Sequence, residues 1–144
     1  MIKEKEGFSL IELLIYFLLL SIIFTLSIIG FKSFTREAEI SNGVRTVIAA
    51  LNTARYSAVS EYEKVKVLQN NNDIFLQKKI DGDWTTYKKF KVKGELSVKF
   101  NNSPVFSPLG SVAPLCSIYV NNEFKKYKSS ISMSGRIKTV QIEL

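Results

Sequence analysis

A chain of 144 residues with a net charge of +7 has room for one globular domain and little more. It contains no histidine and a single cysteine, Cys116, which removes the commonest general base, leaves zinc without a workable donor set and excludes an internal disulfide. Residues 1–31 set Lys3 and Lys5 against Glu4, Glu6 and Glu12, so residues 32–144 hold +8, a basic surface that suits anionic partners or simply keeps the domain soluble.

The first element in chain order is an apolar run. From Leu13 to Ile29 there is no charge, and Ser21, Thr25 and Ser27 are the only polar interruptions. Extended to Phe8 and Phe31 it spans 24 residues, about 36 Å of helix against a hydrocarbon layer of about 30 Å. Such a helix is apolar on every face and reads as membrane-resident. A removable secretory signal would place small residues in an A-x-A pattern at the far end. Here the far end is Ser27-Ile28-Ile29-Gly30-Phe31, and the small residue precedes the run at Gly7. A cut between Gly7 and Phe8 would discard a short polar leader and keep the helix.

Glu12 is the second unusual feature, a carboxylate within the apolar stretch. Ionised at mid-helix in lipid it costs roughly 2.5–3.5 kcal/mol, so a partner is expected. No Lys or Arg stands between residues 8 and 31. Cleavage would expose an α-amino group at Phe8, and Glu12 of one subunit could meet that amine on a neighbour, setting their axial register. The competing reading is a glutamate that snorkels to the headgroups.

The residues Gly7-Phe8-Ser9-Leu10-Ile11-Glu12-Leu13-Leu14 resemble the class III signal of type IV pilins and type II secretion pseudopilins. That resemblance implies cleavage after Gly7 by a prepilin peptidase, N-methylation of Phe8, and use of Phe8 and Glu12 in assembly with other pilins or pseudopilins. It also implies a single-pass anchor in the inner membrane, an extracytoplasmic C-terminal domain, and incorporation into a filament. Glu6 stands where such leaders usually have Lys or Arg. The expected organisation is a leader at 1–7, a transmembrane and filament-core helix at 8–31, and a globular pilin-like domain at 32–144.

Helical periodicity continues beyond the apolar run. Ile40, Val44, Val47, Leu51, Ala54, Ala58 and Tyr62 form one stripe, predicting an amphipathic helix to about 62. Asn42-Gly43 interrupts it and reads as a kink. From Lys64 the period becomes two. Expected strands are 64–69, 73–79, 84–91, 95–101, 117–120, 124–133 and 136–143. Asp81-Gly82, Asn121-Asn122 and Ser134-Gly135 are turn signals, and 103–114, with all three prolines, reads as a loop. One helix followed by strands with no intervening helix predicts an α+β domain, a long helix packed on an antiparallel β-sheet.

Four short pieces further resemble the GspH/FimT-type minor pseudopilin branch. They are Leu51-Asn52-Thr53-Ala54-Arg55-Tyr56-Ser57-Ala58-Val59, Val65-Lys66-Val67, Phe106-Ser107-Pro108-Leu109-Gly110-Ser111 and Ser134-Gly135-Arg136-Ile137. Some relatives in that branch serve DNA uptake through a basic Gly-Arg-x-basic tail, which Gly135-Arg136-Ile137-Lys138 resembles.

The basic residues form two sequence clusters with interleaved aromatics. One runs from Lys78 to Lys99 and includes Trp84, Tyr87, Lys88 and Lys89; the other comprises Lys125, Lys126, Lys128, Arg136 and Lys138, with Tyr127 among them. Lysine beside an aromatic ring suits nucleic acid, because the cation neutralises phosphate and the ring stacks on a base. The competing reading makes Gly135 a plain turn, with Arg136 and Lys138 alternating with Ile137 and Val140 as the solvent face of a strand. Lysines also guard sheet edges.

Nothing points to an enzyme, a cofactor or a metal. The serines have no histidine to activate them, Asp73, Asp81, Asp83 and Glu95 fall at turns and strand ends, and Cys116 reads as a small buried hydrophobe. Three functions remain: a minor pilin or pseudopilin, a DNA-binding minor pilin of an uptake apparatus, and an uncleaved single-span membrane protein.

Overall fold

The structure is a computed structural model describing residues 9–143, except for the side chains of residues 27–33. The first element is a helix, α1 (Leu10–Ser60). The chain divides into two compact units, Met1–Glu37 and Ala38–Leu144, each taken by itself below. The leader, Gly7 and Phe8 lie outside the described residues.

In the first unit, every large apolar side chain from Leu10 to Leu26 is exposed. The serine and threonine hydroxyls among them are satisfied within the helix: Ser21 Oγ donates to the Leu18 carbonyl at 2.7 Å and Thr25 Oγ1 to the Ser21 carbonyl at 2.8 Å. Among the described residues no helix is long and apolar enough to cross a membrane. The side chains described at this end stop at Leu26, inside the apolar run of the sequence.

In the second unit, α1 buries the predicted stripe. Ile40, Val47, Leu51, Ala54 and Ala58 are at most 1% exposed, with Val44 also buried. Tyr62 departs from the expectation: α1 ends at Ser60, and Tyr62 is 76% exposed with φ of 56°. The Glu63 amide donates back to the Ala58 carbonyl at 3.2 Å, so Tyr62 occupies the left-handed position that closes a helix, a place usually held by glycine. Asn42-Gly43 stays helical. A Cβ on Gly43 would lie 2.5 Å from Leu96 Cδ1 and 3.4 Å from Val92 Cγ1; the glycine lets the helix closely approach the 92–96 connection that follows the third strand.

Among the described residues nine strands follow: β1 (Val65–Asn70), β2 (Asp73–Ile80), β3 (Asp83–Lys91), β4 (Ser97–Phe100), β5 (Val105–Phe106), β6 (Val112–Ala113), β7 (Ser117–Asn121), β8 (Lys126–Ile131) and β9 (Ile137–Ile142). All pairings are antiparallel, but they make two sheets, ordered β3-β2-β1-β5-β6 and β4-β7-β8-β9. The 103–114 segment, expected to be a loop, contributes β5 and β6. Phe106 opposite Val65 is fully buried, and that burial favours a short hairpin where proline content argued for none. Asp81 and Gly82 both take positive φ, 52° and 97°, as a two-residue hairpin turn requires. The core gathers α1, β1, β2, β4, β7 and β8 around Val65, Val67, Ile74, Leu76, Ile118 and Val120.

Side chains join the two sheets where backbone pairing stops. Gln69 Nε2 donates to the Val98 carbonyl at 2.7 Å, and Gln69 Oε1 accepts from the Phe100 amide at 3.1 Å. Asn72 Oδ1 accepts from the Val98 amide at 3.3 Å. The free edge of β4 is thereby bonded to the β1–β2 hairpin.

Candidate functional site

Two regions could act on partners: the apolar start of α1 and the basic sheet faces. In the first, Glu12 is exposed on the first turn of α1, where a carboxylate also complements the helix dipole. Among the described residues no cation lies within ion-pair distance of it. Its expected companion, Phe8, is outside the described residues.

The basic faces follow from strand alternation. On β8, Ser129 and Ile131 are buried, so Lys126, Lys128 and Ser130 point the other way. The register places Tyr119 between Lys99 and Lys128, Asn121 opposite Lys126, and Lys138 opposite Ser130. The outer face of the four-stranded sheet therefore brings together Lys99, Lys126, Lys128 and Lys138 around Tyr119. The Lys126 and Lys128 ammoniums stand 5.5 and 5.8 Å from the Tyr119 ring centre. Arg136 is exposed in the turn just before β9, its amide donating to Ser132 Oγ at 3.1 Å. Lys125 precedes β8, in a turn where Asn122 Oδ1 accepts from its amide at 2.8 Å.

Some expectations change. Tyr127 faces inward and packs against the core, with its hydroxyl 3.3 Å from Gln141; the aromatic among these lysines is Tyr119. Val140 shares the face of Lys138 rather than alternating with it, because both lie at even positions of β9 and Val140 is 45% exposed. Lys99, at the end of the first sequence cluster, belongs with the second. Alternation in Ser117–Val120, with Ile118 and Val120 apolar, was the signal that would have turned Tyr119 outward. Lys88 and Lys89 stand apart on β3 of the other sheet, on opposite faces, with Lys89 paired to Asp73 at 2.6 Å.

The pieces that resemble the minor pseudopilin branch meet at one corner. β1 pairs with β5 through Val65 opposite Phe106, and the Val112 amide donates to the Met133 carbonyl at 2.9 Å. Arg55 reaches from α1 to the Gly135 carbonyl at 3.4 Å. Gly110 and Gly135, both with positive φ, turn backbone to backbone beside it: a Cβ on Gly135 would lie 2.4 Å from the Gly110 oxygen and 3.0 Å from Arg55 Nε. Sequence reasoning had singled out these fragments without foreseeing that Arg55 holds two of them together.

Among the described residues no group of three or more His, Cys, Asp or Glu side chains could hold a metal. A depression of about 340 Å³ lined by Glu39, Asn42, Thr46, Lys91 and Lys93 has one hydroxyl, and Thr46 donates it to the Asn42 carbonyl at 2.8 Å. Cys116 is buried, and burial pushes its thiol pKa up, against the smaller opposing effect of hydrogen bonds to the Asn102 and Asn101 backbone. Its Sγ donates to the Asn102 carbonyl at 3.1 Å, an unreactive arrangement.

Residues 2–28 match the prokaryotic N-terminal methylation motif. No curated protein matches the chain in sequence. The fold is similar to that of the type IV minor pilin FimU of Pseudomonas aeruginosa strain PAO1, in two crystal forms. The first has a TM-score of 0.62 at 21% identity over 73% of this chain and 90% of FimU. The second has 0.56 at 20% identity over 69% and 90%. The chain thus carries a prokaryotic methylation motif at its start and, behind it, a fold similar to that of a type IV minor pilin.

Proposed function

We propose that this protein is a minor pilin or pseudopilin of the GspH/FimT type, cleaved between Gly7 and Phe8 by a prepilin peptidase and methylated on Phe8. Its hydrophobic helix anchors it in the inner membrane, domain outward, and then packs in the core of a type IV pilus or type II secretion pseudopilus. The observation behind this reading is the exposure of every large apolar side chain from Leu10 to Leu26, inside the stretch that matches the methylation motif. A surface of that kind is stable only in lipid or against other helices. Glu12, exposed and without a cation among the described residues, fits pairing with the Phe8 amine of a neighbour.

Intact-mass measurement of the membrane-extracted protein tests the processing step. The expected chain starts at methylated Phe8; a retained Met1–Gly7 supports an uncleaved single-span protein instead. Glu12→Leu tests assembly: cleavage should persist while incorporation into filaments falls at least about tenfold, the effect of losing one paired buried charge. Normal incorporation would sink the pairing.

A second reading, DNA capture, is favoured by the outer face of the four-stranded sheet. Four lysines from three strands surround Tyr119 there, offering phosphate neutralisation and a stacking ring together. Affinity of the full chain in detergent for a DNA duplex and a single strand, followed against salt, tests it. Arg136→Ala with Lys138→Ala should weaken binding and flatten the salt slope by about two. Unchanged binding would remove Arg136 and Lys138 from the interface.

A further inference from the structure

The five-stranded sheet also has an outward face, and its chemistry is different. Val65 and Val67 of β1 and Ile74 and Leu76 of β2 are fully buried on the inner side. The alternate residues therefore face out: Lys66 and Leu68 of β1, Phe75, Gln77 and Lys79 of β2, and Val105 of β5, opposite Lys66. On β3 a register shift between Leu76 and Gln77 sets Lys89 opposite Phe75, Thr86 opposite Gln77 and Trp84 opposite Lys79. Gln77 Nε2 donates to Thr86 Oγ1 at 3.1 Å, and Lys66 lies 5.5 Å from the Trp84 ring centre, as it can only if these residues share a face.

This face has an apolar centre and a cationic rim. Trp84, Phe75, Leu68 and Val105 are each only half-buried, although Val65, Val67, Ile74 and Leu76 on the inner side of β1 and β2 are fully buried. Lys66, Lys79, Lys89 and Lys91 surround them, and the acid among them, Asp73, is paired with Lys89. We propose that this face docks an acidic protein partner that presents apolar side chains, with Trp84 at the centre of the contact. Aromatic and aliphatic groups that become fully desolvated inside a charged rim are the composition of a protein interface.

Other occupants suit the face less well. A second copy of the chain would bring another basic domain, since residues 32–144 hold +8, and like charges at an interface oppose association. Nucleic acid has use for the lysines and for Trp84 but not for Leu68 and Val105, which neither stack nor hydrogen-bond. A lipid surface favours apolar side chains that project, whereas Trp84 turns its ring face to Lys66. Docking here requires neither cleavage at Gly7 nor DNA binding on the other sheet.

The chain has one tryptophan, so its fluorescence reports on this face directly. The full chain in neutral detergent micelles is titrated with a random glutamate–tyrosine copolymer, with polyglutamate, with a thymidine oligonucleotide, and with mixed micelles containing phosphatidylglycerol. The copolymer should shift Trp84 emission to the blue, saturably, and at least tenfold more tightly than the other three. Lys66→Glu with Lys79→Glu should weaken it by at least tenfold, whereas Lys126→Glu with Lys128→Glu on the other sheet should leave it unchanged. Circular dichroism of both variants checks that the fold is retained. No emission change with the copolymer, an equal response to oligonucleotide or lipid, or indifference to charge reversal at Lys66 and Lys79 overturns the proposal.

Discussion

Gly82 and Gly135 both take positive φ, but their surroundings differ. A Cβ on Gly82 meets nothing within 4 Å, whereas one on Gly135 would lie 2.4 Å from the backbone oxygen of Gly110. Gly82→Ala should therefore lose about 1–2 kcal/mol, the left-handed strain alone. Gly135→Ala should lose a further ~1–3 kcal/mol, because backbone cannot step aside as a side chain can. Denaturant midpoints of the two variants measure the difference, and equal losses would mean that the two turns do not touch. Cys116 makes a second prediction at this scale. Its pKa is raised by burial, so ionisation favours the unfolded chain. Stability should be unaffected while the unfolded thiol is protonated, and should fall as pH rises through the unfolded and then the folded pKa. Cys116→Ala should abolish that part of the alkaline loss, and a thiol reagent at neutral pH should label the protein only on unfolding.

At the scale of elements, α1 stops without a glycine or proline. Tyr62 adopts φ of 56° while 76% exposed, so its side chain contributes little packing to offset the strain. Tyr62→Gly should raise stability by about 1 kcal/mol; a loss would show that the tyrosine packs after all. The stripe from Ile40 to Ala58 was legible because helical spacing survives any context, but its end was not. The apolar spacing ran on to Tyr62, whereas the end is set by the hydrogen bond from Glu63 to Ala58. The other strands were equally legible, since period two is local, but β5 and β6, in the proline-bearing 103–114 segment, were not. Which strands share a sheet was not legible either: Gln69 and Asn72 bridge to β4 across 26 to 31 positions of sequence. Gln69→Ala should cost about 1–3 kcal/mol by leaving the Phe100 amide without its partner, as equilibrium unfolding would report.

Across the whole molecule, the division after Glu37 separates two kinds of stability. The core from Ile40 onward belongs to the second unit, so residues 38–144 expressed alone should unfold cooperatively in denaturant. A non-cooperative fragment would show that the apolar start of α1 contributes to the fold. Among the described residues the leucines, isoleucines and phenylalanines from Leu10 to Leu26 are exposed, and apolar surface of that extent is stable only in lipid or against other protein.

The sequence by itself determined what depends on neighbours along the chain. The apolar run with its one carboxylate, the glycine ahead of it, the amphipathic half of α1 and the alternating strands are all local patterns, and local patterns are set by fixed geometric periods. The tertiary structure alone decided which distant residues meet. Tyr119 joins lysines from β4, β8 and β9, Lys88 and Lys89 part to opposite faces of β3, and Arg55 reaches Gly135 across 80 positions. Those juxtapositions depend on strand order and register, which are fixed by how the apolar residues of the whole chain pack into one core and not by any short stretch of it.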